Sequence, residues 1–239
     1  MAKHYKAVFI DWDDTIGDFR NAAQQALRAV FTEYELTAYY DTFEQFYDLY
    51  HQHNIELWGL YGVDKVTKEY LSFDRFFYPI MMAPRPPKAE EAIAKALPIS
   101  REFAQRTTDY FALLPDAAEV VRALAARYPL TVLSNGFVEV QYQKVNKSGL
   151  ADCFRNVVLS EEVGVQKPNP LIFQRAMELN GVQPDEVVMI GDSWTSDIQG
   201  AIAAGIDQLW VHGDDDKTDL SLPATYKVAH LKDVLTILL

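Results

Sequence analysis

The chain has 239 residues, 49% of them hydrophobic, and a formal net charge of −12. This length can bury the core of an α/β domain with an inserted second module, and no segment approaches the roughly 18 consecutive apolar residues of a membrane helix. We therefore expect a soluble, cytoplasmic protein without membrane contact. The negative charge argues against DNA and RNA as partners, because clustered Lys and Arg drive such binding. A small phosphorylated metabolite is compatible with this charge if a local cation or metal attracts it.

Short runs of β-branched and aliphatic residues predict buried strands. They span residues 7–10, 130–133, 156–159, 187–190 and 208–211, with a short edge strand at 226–229. From about residue 115 they alternate with helix-like stretches at 117–127, 170–179 and 196–204. The alternation predicts an α/β fold, a Rossmann-like three-layer α/β/α core with a parallel sheet.

Residues 17–110 have a different pattern, because apolar side chains recur there at helical spacing. One such stripe consists of Leu27, Val30, Phe31 and Tyr34. The proline-rich stretch 82–88 cannot be helical throughout, so separate helices should flank it. We predict a helical cap domain at 17–110, inserted after the first strand, and a catalytic core formed by 1–16 and 111–239.

Acidic residues follow the first predicted strand, in the sequence DWDDT. In an extended chain Asp11 and Asp13 point to the same side, and two such close carboxylates repel unless a cation or a shared proton intervenes. A divalent metal supplies that cation. The alternative is an exposed acidic turn, which an isolated motif of this kind would fit equally well.

Polar residues also follow the other predicted strands. They are Ser134, Asn135 and Gly136 after the second, Lys167 after the third, and Asp192 and Asp197 after the fourth. Separately, each has an ordinary interpretation: a helix-capping serine, a solvated lysine, and acids favoured at a helix terminus. The carboxyl ends of parallel strands meet at one edge of a sheet. Together these residues therefore predict a nucleophile, an oxyanion stabiliser and a metal site at that edge.

The motifs DWDDT, SNG, KPNP and GDSWTSD resemble those of the haloacid-dehalogenase-like (HAD) hydrolase superfamily. The longer passages LSNGFVEVQYQKVNKSGL and VLSEEVGVQKPNPLIFQRAM are similar to its pyrimidine 5'-nucleotidase subgroup, which hydrolyses nucleoside monophosphates. In the insert, NIELW together with Arg75 and Phe76 resembles the cap of that subgroup.

The resemblance implies a magnesium-dependent phosphomonoester hydrolase. Asp11 would be the nucleophile that forms an aspartyl phosphate, and Asp13 the general acid and base. Lys167 would neutralise charge on the phosphoryl group, and Ser134 would bind one of its oxygens.

It also implies a set of ligands. Mg²⁺ would be held by Asp11, Asp192 and the backbone carbonyl of Asp13. Asp197 would orient waters or hold Lys167 from behind, while Asn135 and Gly136 would contribute to substrate binding.

The substrate depends on the insert. We expect most of its aromatic residues to pack its helices together, with one or two stacking on a nucleobase whose edge Asn54 reads. The alternatives are a broad small-metabolite or sugar-phosphate phosphatase, a phosphosugar mutase and, more remotely, a phospho-acceptor signalling receiver. The family branch that cleaves carbon–halogen bonds lacks the second acid, because halide needs no proton, so Asp13 favours phosphate esters.

Overall fold

In a computed structural model of the chain, residues 4–214 and 219–239 are described. The chain divides into two compact units. An α/β unit consists of the residues up to Phe19 together with Phe111–Leu239, and a helical unit consists of Arg20–Tyr110. The helical segment predicted at 17–110 thus starts three residues before the helical unit and ends with it.

The α/β unit is built on a six-stranded sheet in which every neighbouring pair is parallel. Its strands are β1 (Ala7–Ile10), β2 (Leu130–Ser134), β3 (Phe154–Leu159), β4 (Val187–Gly191), β5 (Asp207–Val211) and β6 (Tyr226–Val228). The order across the sheet is β3-β2-β1-β4-β5-β6. The predicted parallel sheet is confirmed, and β6 lies at an edge as expected.

The helical unit contains most of α1 and three further helices. They are α1 (Phe19–Glu33), α2 (Phe43–Tyr61), α3 (Lys68–Met81) and α4 (Ala89–Asp109). The hydroxyls of Thr42 and Thr67 accept backbone N–H bonds at the starts of α2 and α3. The proline-rich stretch 82–88 separates α3 from α4, as predicted.

Aromatic side chains dominate the core of the helical unit. Phe46, Tyr50 and Phe76 are buried in it, and Phe43, Tyr47, Phe73 and Phe77 pack against it. Most aromatic residues of the insert therefore stabilise the unit itself, as expected.

Helices cover both faces of the sheet. The remaining helices are α5 (Ala117–Ala125), α6 (Val138–Lys147), α7 (Ser160–Val163), α8 (Pro170–Asn180), α9 (Gln199–Ala203) and α10 (Val234–Leu238). Val8 and Ile10 of β1 pack in one core cluster with residues of α5 and α10. Ala7 and Phe9, which point to the opposite face, pack in another with residues of α8 and α9. This confirms the predicted three-layer α/β/α arrangement.

The stretch after β4 differs from the single helix predicted at 196–204. A π-helical turn, Trp194–Ile198, comes first, and α9 follows it. The carbonyl of Ser193 accepts bonds from the N–H groups of both Asp197 and Ile198, which widens this first turn. Helical structure therefore begins at Trp194, two residues before the predicted start at 196.

The chain leaves the α/β unit after Phe19 and returns to it at Phe111. Backbone hydrogen bonds join the segments just before the exit and just after the return. The N–H of Asp18 donates to the carbonyl of Ala112 and that of Leu114 to Ile16, both at 2.9 Å. Gly17 lies between these bonds, paired with Leu113. The outgoing and returning segments of the α/β unit are therefore held side by side.

Across 4–214 and 219–239, no helix combines the length and the apolar character needed to cross a membrane.

Two helical glycines provide a test of the packing. A Cβ at Gly200 would lie 2.6 Å from the buried ring of Phe173 and 2.9 Å from the Cα of Pro168, whereas Gly59 has no neighbour within 4 Å. We expect Gly200→Ala to destabilise the fold by about 1–3 kcal/mol through overpacking. Gly59→Ala should be neutral or stabilise by up to about 1 kcal/mol, because alanine favours helix. Urea unfolding followed by circular dichroism tests this, and a Gly200→Ala variant as stable as the wild type would contradict the packing.

Candidate active site

The site lies at the carboxyl edge of the sheet, where the residues following four strands meet. Asp11 directly follows β1, Ser134 ends β2, and Asp192 directly follows β4. Lys167 comes from the loop after β3 and α7. β1, β2 and β4 are buried strands paired on both sides, which fixes the positions of Asp11, Ser134 and Asp192, whereas β3 lies at an edge of the sheet.

Lys167 is the centre of a buried ion cluster. Its Nζ lies 2.6 Å from Asp11 Oδ1 and 2.6 Å from Asp197 Oδ1, and it donates to the carbonyl of Leu133 at 2.7 Å. Burial opposes charge on the ammonium, but the negative charges of Asp11 and Asp197 outweigh it, so the pKa of Lys167 is raised. Lys167 is thus a fixed cation beside Asp11.

The side chain of Asn135 holds the backbone of Lys167. Its Nδ2 donates to the carbonyl of Lys167 at 3.0 Å, and its Oδ1 accepts from the N–H of Lys167 at 2.8 Å. The amide that the sequence suggested for substrate binding is therefore engaged at both ends in positioning the lysine.

The carboxylate of Asp197 lies against Gly191 at the point where it contacts Lys167. A Cβ at Gly191 would overlap the carboxylate of Asp197. The second oxygen of Asp197, Oδ2, accepts from the N–H of Ser193 at 3.1 Å, so both oxygens of this fully buried carboxylate have partners. The glycine that opens the GDSWTSD motif is thus needed to admit the acid that ends it, Asp197.

Three carboxylates form a cluster with the donor chemistry of a cation site. One oxygen each of Asp11, Asp192 and Asp197 lies within 4.8 Å of the others. Burial raises the pKa of Asp11 well above its usual value, although the charge of Lys167 opposes this. Burial, followed by the charges of Asp197 and Asp14, raises the pKa of Asp192 to about 7. Three acids face one ammonium, and their oxygen donors and excess negative charge fit a hard divalent cation.

Thr15 is a site residue that the sequence interpretation missed. Its hydroxyl oxygen lies 3.4 Å from Asp11 Oδ2 and 3.2 Å from Asp192 Oδ1, and it accepts from the N–H of Asp192 at 3.1 Å. The signal was present, since this threonine belongs to the DWDDT motif.

The carboxylate of Asp13 points to a different set of partners. Lys144 Nζ lies 2.7 Å from its Oδ1, and Gln141 Nε2 donates to its Oδ2 at 2.7 Å. Gln141 Nε2 is also 2.7 Å from Ser134 Oγ. The carboxylate of Asp13 thus bonds to two residues of α6, Gln141 and Lys144, that were not predicted.

Gly136 and Asn54 complete the predicted set. Gly136 lies against the side chain of Gln141, which a Cβ at that position would overlap. Asn54 lies on α2 in the helical unit, where its Oδ1 is buried with no hydrogen-bond partner in the part of the chain that the structure describes.

The fold and site have counterparts among known proteins. Residues 5–205 match the family model of the haloacid dehalogenase-like hydrolases. The chain therefore belongs to this hydrolase family.

Three similar proteins indicate the range of the family. Pyrimidine 5'-nucleotidase YjjG of Escherichia coli is 31% identical over 230 residues, 95% of each chain. A glyceraldehyde 3-phosphate phosphatase of Methanopyrus kandleri is 31% identical over 208 residues, 84% of this chain and 81% of that protein. The crystal structure of the HAD-hydrolase YfnB from Bacillus subtilis, bound to magnesium, has a TM-score of 0.82 with 25% identity and covers 99% of each chain.

The raised pKa of Asp192 predicts how stability depends on pH. The pKa is about 7 in the folded chain against an ordinary value of 3.8, so the folded state binds this proton more tightly and stability falls as pH rises between the two values. With a chelator present, the unfolding free energy of the wild type minus that of Asp192→Asn should fall by about 2–3 kcal/mol from pH 5 to pH 8. Above pH 8 it should change little.

Urea unfolding at each pH measures this difference. Asp152→Asn, which alters an exposed carboxylate of the same unit, is the matched control and should leave the pH dependence unchanged. A pH-independent difference between wild type and Asp192→Asn would show that Asp192 titrates normally.

Proposed function

We propose that this hydrolase cleaves phosphomonoesters through an aspartyl phosphate on Asp11, and that its substrates are pyrimidine nucleoside 5'-monophosphates. The observation that carries the mechanism is the 2.6 Å contact between the buried carboxylate of Asp11 and the ammonium of Lys167. A second carboxylate, that of Asp13, follows Asp11 by two residues in the sequence. Phosphoryl transfer requires positive charge beside the transferred group and a proton for the leaving oxygen. Lys167 supplies the charge, and Asp13 supplies the proton.

In the first step an oxygen of Asp11 attacks phosphorus, and the bond between phosphorus and the ester oxygen breaks. The leaving oxygen takes a proton from the carboxylic acid of Asp13. An alcohol leaves, Asp11 carries the phosphoryl group and Asp13 is a carboxylate.

In the second step Asp13 removes a proton from a water whose oxygen attacks phosphorus. The bond between phosphorus and Asp11 breaks, which releases inorganic phosphate. Asp11 is again a carboxylate and Asp13 again carries a proton, so one pair of acids serves both steps.

Other side chains bind the phosphoryl group. Ser134 Oγ accepts N–H bonds from Gly136 and Gln141, which leaves its own hydrogen for a phosphoryl oxygen. When bound, Mg²⁺ would be held by Asp11, Asp192 and the backbone carbonyl of Asp13, and would supply positive charge that keeps the carboxylates ionised and offsets phosphate charge. Asp197 fixes Lys167.

The nucleotide assignment rests on the relatives. The similarity to a pyrimidine 5'-nucleotidase extends over 95% of the chain, including the helical unit. The second candidate is a phosphatase of small sugar phosphates, which is favoured by the equally high identity to a glyceraldehyde 3-phosphate phosphatase. The two candidates share the chemistry of Asp11 and differ in substrate.

Asp11→Asn tests the mechanism. An amide at this position is a poor nucleophile, so we expect no turnover above background, with the fold retained because Asn has nearly the same size. Phosphate release with Mg²⁺ measures activity, and circular dichroism measures folding. Asp185→Asn, an exposed change in the same unit, should keep wild-type activity. Retained phosphatase activity in Asp11→Asn would contradict the proposal.

A substrate panel tests the specificity. We expect the highest kcat/KM with UMP, CMP and dTMP, ahead of AMP and GMP, glyceraldehyde 3-phosphate and phosphoglycolate. Sugar phosphates that outperform every nucleotide would reject the nucleotidase assignment and retain the phosphatase. Transfer that depends on a bisphosphate would instead indicate a mutase, and a single phosphorylation without turnover would indicate a receiver.

A further inference from the structure

Two polar residues of α6 are buried where a surface helix normally has solvent-exposed side chains. Gln141 and Lys144 are three residues apart, on one face of the helix, and are 1% and 2% exposed. Lys144 has no part in the reaction described above, and Gln141 enters it only as a donor to Ser134. A buried ammonium is costly unless it is paired, so its placement requires an explanation.

Both side chains are directed at Asp13. Lys144 Nζ lies 2.7 Å from one carboxylate oxygen, and Gln141 Nε2 lies 2.7 Å from the other. The ring of Phe19 lies 4.3 Å from Lys144 Nζ and packs against the ammonium. Each oxygen of Asp13 therefore has its own donor, which fixes the side chain in one orientation.

Gln141 also connects Asp13 to Ser134. The same nitrogen that donates to Asp13 lies 2.7 Å from Ser134 Oγ. Space for this link depends on Gly136, because a Cβ there would overlap the carboxamide of Gln141. Gly136 is thus a position at which a side chain would displace the link.

We propose that Lys144 and Gln141 are positioning residues that hold the carboxyl group of Asp13, in register with Ser134, for proton transfer to the leaving oxygen. This inference rests on the proposed phosphatase function. The two residues contact Asp13 and act through it. Replacing Lys144 by an apolar side chain of similar length should therefore impair the steps that need Asp13 more than those that do not.

The ester used as substrate separates this role from a general structural one. A nucleoside monophosphate releases a poor leaving group that needs a proton, whereas 2,4-dinitrophenyl phosphate releases a good one that does not. The value of kcat/KM reports the steps up to loss of this group. For Lys144→Met we expect a loss of about 100-fold with UMP and less than about 5-fold with dinitrophenyl phosphate. Lys147→Met, the same change at an exposed site of α6, should be as active as the wild type.

A double-mutant cycle gives a second measurement. In the Asp13→Asn background Lys144→Met should cost little further activity toward UMP, because a positioning residue has no effect without the group that it positions. If Lys144→Met does not fold, Gln141→Met, which removes the link to Ser134 without uncovering a buried charge, should lose more activity with UMP than with dinitrophenyl phosphate. Its effect through Ser134 is common to both esters.

Equal losses with both esters, or losses that add to those of Asp13→Asn, would overturn the positioning role while leaving the phosphatase intact. A wild-type protein that releases phosphate from neither ester would instead contradict the proposed function.

Discussion

A charged amine can be stable in a protein interior only if opposite charges and hydrogen bonds replace the water that it has lost. Lys167 meets this constraint with two carboxylates and a carbonyl oxygen, on Asp11, Asp197 and Leu133. Asp11 directly follows β1, Asp197 lies in the π-helical turn after β4, and Leu133 belongs to β2. One ammonium therefore ties together the reactive edge of three central strands, and the amide of Asn135 and the small Gly191 are arranged to keep it there.

The same cluster contains more carboxylates than ammonium groups, which bears on how an acidic protein could bind the anionic substrate that we propose. Asp11, Asp192 and Asp197 lie together beside a single ammonium, which contacts Asp11 and Asp197, and burial raises the pKa of Asp192 to about 7. A divalent cation would relieve this excess and would present positive charge outward. The net charge of −12 repels phosphate at long range, so the proposed phosphorylated substrate would have to be recognised locally, beside Lys167 and a bound cation.

Much of this arrangement follows from the sequence, because buried parallel strands leave a strong pattern. The predicted first strand has the bounds of β1, and the predicted fourth differs from β4 by one residue. Since the carboxyl ends of such strands meet, Asp11, Ser134, Lys167 and Asp192 could be assigned to one edge without a structure. Their catalytic roles remain proposals.

The remaining features depend on packing, which has no local signal. Gln141 and Lys144 look like ordinary polar residues of a surface helix, and only the orientation of α6 shows that they are buried. The amide of Asn135 looks like a ligand until its bonds to the backbone of Lys167, 32 residues away, are seen. The π-helical turn at Trp194–Ile198 likewise depends on a shared acceptor, the carbonyl of Ser193, which hydrophobic periodicity does not indicate.

The hydrogen bonds between Asp18 and Ala112 and between Leu114 and Ile16 have a consequence for how such chains diversify. They hold the outgoing and returning segments side by side, so the ends of any inserted segment are already adjacent. The entropy of closing a loop grows only with the logarithm of its length. Insertions, deletions or wholesale exchange of the intervening segment can therefore accumulate at this junction without disturbing the register of the sheet. The junction is a place where evolution, or a protein engineer, can change the accessory module while keeping the catalytic scaffold.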